Sequence, residues 1–206
     1  MNKSESGRKP KTITRNKPQK IAEIKKTTRE LIEQDGYLQV TNHGIAKAAG
    51  VSIGLVYKYF PRGKPDILKS IVLDFNEVFQ KDLPSITKSN WEMVLKHLLE
   101  SFVKLHKKNL ELTKAMEIAM LNDPDIFQDT RGAAQELFDI IPIIETLIDL
   151  GIISKKISKE EIIANATIID QITHQYLFFQ NLPVKNEKEF LDYLSRLSKK
   201  LFEIKD

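Results

Sequence analysis

Tyr57, Lys58 and Tyr59 are consecutive, and Ser52 and Gly54 lie just before them. Two phenols and an ammonium make a compact donor cluster of the kind that suits phosphate oxygens. Other chemistry finds less support. The chain has no cysteine, which excludes a disulfide scaffold, a thiolate zinc site and a cysteine nucleophile together. Its four histidines are His43, His97, His106 and His174, and none is paired with another histidine at metal-binding helical spacing. His97 has Glu100 three positions on, a pair more often found on a solvated helix face than around a metal. No phosphate-cradling glycine loop is present. Carboxylates are scattered among lysines, as at Lys159-Glu160-Glu161, and no nucleophile–base constellation is legible. We therefore expect no catalytic residues, no metal and no cofactor; the chain does not read as an enzyme.

The donor cluster needs an element to hold it. Ile45-Ala46-Lys47-Ala48-Ala49-Gly50-Val51-Ser52-Ile53-Gly54-Leu55-Val56-Tyr57-Lys58-Tyr59-Phe60 reads as two short helices about a tight turn. Ala46 and Ala49 are small enough for close helix crossing, Gly50 suits the turn, and Val51 fills the angle. Thr41 or Asn42 caps the first helix and Ser52 the second. This is the recipe of a helix-turn-helix, whose second helix enters the major groove. An earlier helix opens at Pro18, carries Ile21, Ile24, Thr28, Leu31 and Ile32 on one stripe, and stops at Gly36.

Charge agrees with a polyanion partner at this end. Residues 1–69 hold 15 Lys+Arg against 6 Asp+Glu, a balance of +9; residues 70–206 hold 17 against 22, a balance of −5. Residues 1–17 read as a flexible basic arm. The chain of 206 residues is 41% hydrophobic and 29% charged, enough for a packed core. Its longest apolar runs fall far short of the roughly 20 residues that span a bilayer, and no secretory leader is evident. A soluble, cytoplasmic protein is the expectation.

Downstream, a helix from Pro65 carries Ile67, Leu68, Ile71, Val72, Phe75, Val78 and Phe79 and ends by Pro84. Further helices are predicted at about 89–108, 111–121, 125–150, 159–181 and 187–204, the third kinked at Pro142. No alternating strand pattern and no repeat is found. The fold class is all-α, with an arm at 1–17, a helix-turn-helix domain at 18–64 and a larger helical domain at 65–206.

Residues 18–70 resemble the DNA-binding domain of the TetR family of transcriptional regulators. The resemblance rests on Gly36-Tyr37, Thr41, Ile45-Ala46, Ala49-Gly50-Val51-Ser52, Gly54, Tyr57, Phe60-Pro61, Lys64 and Leu68. It implies backbone-phosphate contacts from Asn42, Tyr57, Tyr59 and Lys64, and base-edge contacts from His43, Ile53, Gly54 and Leu55. Lys58 would serve either role, beside the cap Ser52. Gly44, Ile53 and Leu55 depart from the family's pattern, and the Pro61–Pro65 loop is one residue longer than usual. Ile53 and Leu55 can meet thymine methyls but make no bidentate hydrogen bonds, so shape and phosphate contacts would carry more of the readout.

The resemblance also implies a C-terminal domain that binds a small effector and forms a homodimer. Phe102, Met116, Met120, Phe127, Phe138, Gln171 and His174 are the candidate pocket residues, suited to an elongated hydrophobic effector such as an acyl chain. Ile169, Thr173, Tyr176, Phe190, Leu194, Leu197 and Leu201 are the candidate dimer interface, as two helices per subunit of a four-helix contact. The function implied is a homodimeric repressor, bound to a double-stranded DNA operator and released by its effector. The alternative is an architectural nucleic-acid-binding protein without an effector.

Overall fold

The structure, a computed structural model, describes residues 17–79, 84–123, 140–153 and 157–204. Its helices are α1 (Lys17–Asp35), α2 (Asn42–Ala48), α3 (Ile53–Tyr59), α4 (Lys64–Phe79), α5 (Trp91–Lys108), α6 (Leu110–Asn122), α7 (Ile140–Asp149), α8 (Lys159–His174) and α9 (Glu187–Leu201). No strand occurs among the described residues; extended pairing is limited to one bridge between Ile153 and Ile204. No described helix is long and apolar enough to cross a membrane.

Two apolar clusters organise these helices. The first joins Ile24 and Ile32 of α1, Ile45 and Ala46 of α2, Val56 of α3 and Ile67, Leu68, Ile71 and Val72 of α4. Leu112, Ala115 and Ala119 of α6 complete it. The second joins Leu99, Phe102 and Val103 of α5, Ile144 and Leu147 of α7, Ile162 and Ile169 of α8, and Phe190 and Leu194 of α9. The core around α1–α3 therefore runs on through the first half of α4 and borrows α6.

Caps fix the helix starts. The Thr41 hydroxyl accepts from Gly44 N at 3.0 Å and Ser52 Oγ from Leu55 N at 3.2 Å. Ser158 and Asn186 cap α8 and α9 in the same way. α8 differs from the single helix expected over 159–181. After His174 the backbone widens into a π turn, Gln175–Phe179, and stops at Gln180. Of the helix expected at 125–150, only the part from Ile140 onward is described, so a kink at Pro142 lies against undescribed residues. Residues 1–16 of the basic arm also lie outside the described residues; Lys17 opens α1.

Candidate nucleic-acid interface

α2 and α3 meet through small side chains. Ala46 and Ala49 are buried, and Val51 N donates to Ala46 O at 3.0 Å across the turn. Gly50 takes φ +61°, a left-handed conformation that a side chain would strain. Val56 is the buried anchor of α3. Once Val56 points inward, helical spacing turns Gly54, Tyr57 and Lys58 outward, and all three are exposed. Nothing lies within 4 Å of where a Gly54 Cβ would stand, so that face is open to close approach by another backbone.

A chain of hydrogen bonds then orients one donor. Lys64 N donates to Asn42 Oδ1 at 2.7 Å, and Asn42 Nδ2 donates to Tyr57 Oη at 3.0 Å. The phenol accepts here, so its own proton remains for an outside acceptor. Tyr57 is 44% exposed. Gly63, at φ +71°, lets the chain pass beside Asn42: a Cβ there would stand 2.4 Å from Asn42 Nδ2.

The other expected contacts are placed unevenly. His43 and Ser52 are exposed; Leu55 is half-buried. Ile53 and Tyr59 are half-buried against the first apolar cluster, and Lys17 Nζ stands 5.8 Å from the Tyr59 ring. Lys64 contributes its main-chain N–H, while its ammonium turns inward. Nζ donates to Tyr37 O at 2.6 Å and sits 3.9 Å from the Tyr37 ring centroid. Burial pushes the Lys64 ammonium below its ordinary value. The Tyr37 phenol is raised, first by burial and then by the charge of Asp123.

α6 links this region to the second core. Arg29 of α1 donates to Asn109 Oδ1 at 2.9 Å at one end, and Arg62 Nη2 reaches Asp123 Oδ2 at 3.1 Å at the other. Between them Ala115 and Ala119 face the first core, while Glu117 faces α8.

There the structure assembles a polar group that sequence reasoning missed in large part. His174 Nδ1 lies 2.8 Å from Glu117 Oε1, and Gln171 Nε2 donates to the same oxygen at 3.1 Å. His106 Nε2 lies 3.1 Å from Asp170 Oδ1, and its Nδ1 lies 2.9 Å from Phe102 O. Burial acts to lower the His174 imidazole, but Glu117 and Asp170 outweigh it and the net direction is up. Glu117 is held below the ordinary carboxyl range, first by its hydrogen bond to His174. Asp170 and His174 share a helix face four positions apart, a signal present in the sequence; His106 and Glu117 arrive from other helices and carried none.

The expected pocket residues do not form one group. Phe102 and His174 are buried side by side with His106, whose ring centroid is 4.2 Å from that of Phe102 and 5.2 Å from that of His174. Gln171 is exposed at the margin. Met116 packs against the first cluster instead, and Met120, one turn on, is exposed. Phe127 and Phe138 lie outside the described residues.

The expected dimer residues fall into two groups by burial. Ile169, Thr173, Phe190 and Leu194 are closed inside the protomer, the last three at 0% exposure. The Phe190 and Leu194 face of α9 is covered by α5 and α8, with Tyr176 stacked on Phe190 at 3.9 Å between centroids. Tyr176, Leu197 and Leu201 are half-buried. The large apolar side chains these elements leave exposed are Ile168, Phe179 and Tyr193.

Residues 24–71 match the family described as bacterial regulatory proteins, tetR family. No curated protein matches the chain. Among solved structures, a Thermus thermophilus FadR, a TetR-family transcriptional repressor in complex with lauroyl-CoA, superposes with a TM-score of 0.69 at 20% identity, covering 90% of this chain and 96% of that one. A TetR transcriptional regulator from Rhodococcus sp. RHA1 gives 0.59 at 17% identity over 90% and 96%. The fatty acid degradation regulator FadR from Bacillus halodurans gives 0.55 at 18% identity over 96% and 97%. At these identities the likeness is one of fold. Residues 24–71, with the capped α2–turn–α3 unit, thus form a tetR-family helix-turn-helix DNA-binding segment, and the chain as a whole shares the all-helical fold of these TetR-family regulators.

Proposed function

We propose that the chain is a homodimeric repressor that leaves its operator when a small hydrophobic effector binds. The observation that carries the DNA half is the Lys64–Asn42–Tyr57 relay, which aims a free phenol proton outward from an exposed α3 inside the family-matched segment. Two copies related by a two-fold axis would set their α3 helices in successive major grooves, about 34–36 Å apart. Ile168, Phe179 and Tyr193 are apolar and exposed on the C-terminal elements, which supports pairing through that side.

The effector half draws support from the lauroyl-CoA bound to the Thermus relative and from the buried, aromatic setting of Phe102 and His174. α6 is the route between the halves, since it touches α8 through Glu117 and the DNA-binding core through Ala115 and Ala119. A ligand that moves α6 would change the α3 separation, with a coupling of about 1–3 kcal/mol, or about 5–150-fold in operator affinity.

The test is an electrophoretic shift on the DNA upstream of the protein's own gene, with competitor DNA and with lauroyl-CoA titrated in. Specific retardation that lauroyl-CoA relieves supports the reading. Binding with a steep salt dependence and no operator preference would favour the architectural alternative, and no retardation at any salt would sink both.

A further inference from the structure

The imidazoles of His106 and His174 present the same arrangement twice. In each, Nδ1 faces an oxygen that can only accept: the Phe102 carbonyl for His106, at 2.9 Å, and the Glu117 carboxylate for His174, at 2.8 Å. Each Nδ1 therefore carries the proton, and in the neutral rings each Nε2 carries a lone pair. Both Nε2 atoms converge on one atom, Asp170 Oδ1, at 3.1 Å and 3.4 Å. A lone pair facing a carboxylate oxygen is repulsive unless a cation stands between them. His174 is 7% exposed, and its Nε2 has no hydrogen-bond partner among the described residues. A buried polar atom left in that state calls for an account.

A metal ion supplies one. Ligands about 2.0–2.2 Å from a tetrahedral zinc stand about 3.3–3.6 Å from one another, close to the separations from Asp170 Oδ1. All three ligand atoms lie within 4.8 Å of one another. Metal-binding histidines donate their other ring N–H to a carbonyl or carboxylate, the roles that Phe102 O and Glu117 occupy here. Gln171 also donates to Glu117 and steadies it. Imidazole nitrogens with one carboxylate suit zinc and its transition-metal neighbours rather than magnesium or calcium.

We propose that His106, Asp170 and His174 form a binding site for one divalent transition-metal ion of the zinc class, ligated through both Nε2 atoms and the Asp170 carboxylate. Three protein ligands leave a fourth position for water or for an oxygen of an anionic ligand. α5 contributes one ligand and α8 two, while Glu117 makes α6 the positioning helix. Metal occupancy would therefore be felt at the element that reaches the DNA-binding core. The proposal goes beyond the repressor reading, because binding the ion requires neither DNA nor an acyl effector.

The experiment uses the full, untagged chain, stripped with a chelator and dialysed against zinc(II). Elemental analysis counts the metal, and cobalt(II) substitution reads the ligand field. One equivalent per chain, a tetrahedral cobalt spectrum and a raised melting temperature are expected. Asp170→Asn and His174→Ala should lose the metal, whereas His97→Ala, at an exposed histidine on α5, should keep it. Glu117→Gln should weaken binding about 10–100-fold. Asp170→Asn preserves shape, so circular dichroism showing it folded keeps the test decisive if His174→Ala fails to fold. No zinc retained by the wild type, or equal retention by folded Asp170→Asn, would overturn the site and assign the cluster to an imidazolium–carboxylate network. Because the count is made without DNA, failure to find an operator would leave it standing.

Discussion

Asn42 hands the Tyr57 phenol a hydrogen bond at 3.0 Å, and by doing so decides which way the phenol proton points. Asn42 is itself held by Lys64 N, so one side chain joins the start of α2, the outer face of α3 and the start of α4. Tyr57→Phe removes the outward donor and keeps the ring. Loss of a hydrogen bond to a charged phosphate oxygen costs about 1.5–3 kcal/mol. Affinity should drop about 10–100-fold on every DNA sequence alike, as read by fluorescence anisotropy on operator and random duplexes. A loss confined to the operator would instead make Tyr57 a base reader.

Lys58 is exposed on the same face. If it neutralises one phosphate, Lys58→Ala should flatten the slope of log K against log salt by about 0.9. An unchanged slope removes Lys58 from the interface.

Gly63→Ala tests the relay from the backbone side. The residue has φ +71°, and the added Cβ would meet Asn42. Left-handed strain costs an L-residue about 1–2 kcal/mol, so the melting temperature should fall and DNA affinity with it. The Gly54→Ala variant, where no atom stands within 4 Å and φ is not positive, should leave stability nearly unchanged. Any loss of DNA binding there would report approach to the duplex.

The Glu117–His174 pair predicts a pH profile for the chelator-treated protein. Glu117, Asp170 and His106 are the titratable groups facing His174. His174 is raised in the folded state, so its contribution is complete below the ordinary imidazole value of about 6.5 and fades as pH rises through its folded value. Glu117 is lowered, so its contribution is complete above about 4.3 and fades as pH falls through its folded value. Stability in denaturant should therefore peak between these limits and decline above neutrality. Glu117→Gln should flatten both flanks.

The dimer reading separates two substitutions. Phe190→Ala empties a fully buried site and should cost about 3–5 kcal/mol of stability. Ile168→Glu charges an exposed apolar position and should leave the fold intact. Sedimentation should then show monomers for Ile168→Glu; an undisturbed dimer would move the interface elsewhere.

What the chain declares on its own are its local features. Thr41 and Ser52 as caps, Gly50 as the turn, Ala46 and Ala49 as the crossing, and the apolar stripes of α1, α4 and α9 all act within a turn or two of helix. Neighbours in sequence are enough to specify them, so the all-helical class and the helix-turn-helix were legible before any coordinates. Tertiary structure decided what covers each stripe. Phe190 and Leu194 look the same in a sequence whether α5 or a second subunit lies over them, and Met116 looks the same whether it lines a cavity or seals the DNA-binding core. The convergence of His106 with Asp170, 64 positions away, was hidden for the same reason. A helix's periodicity reports which face is turned inward, but the partner it meets depends on how whole helices dock, and that is set by the shapes of many side chains at once.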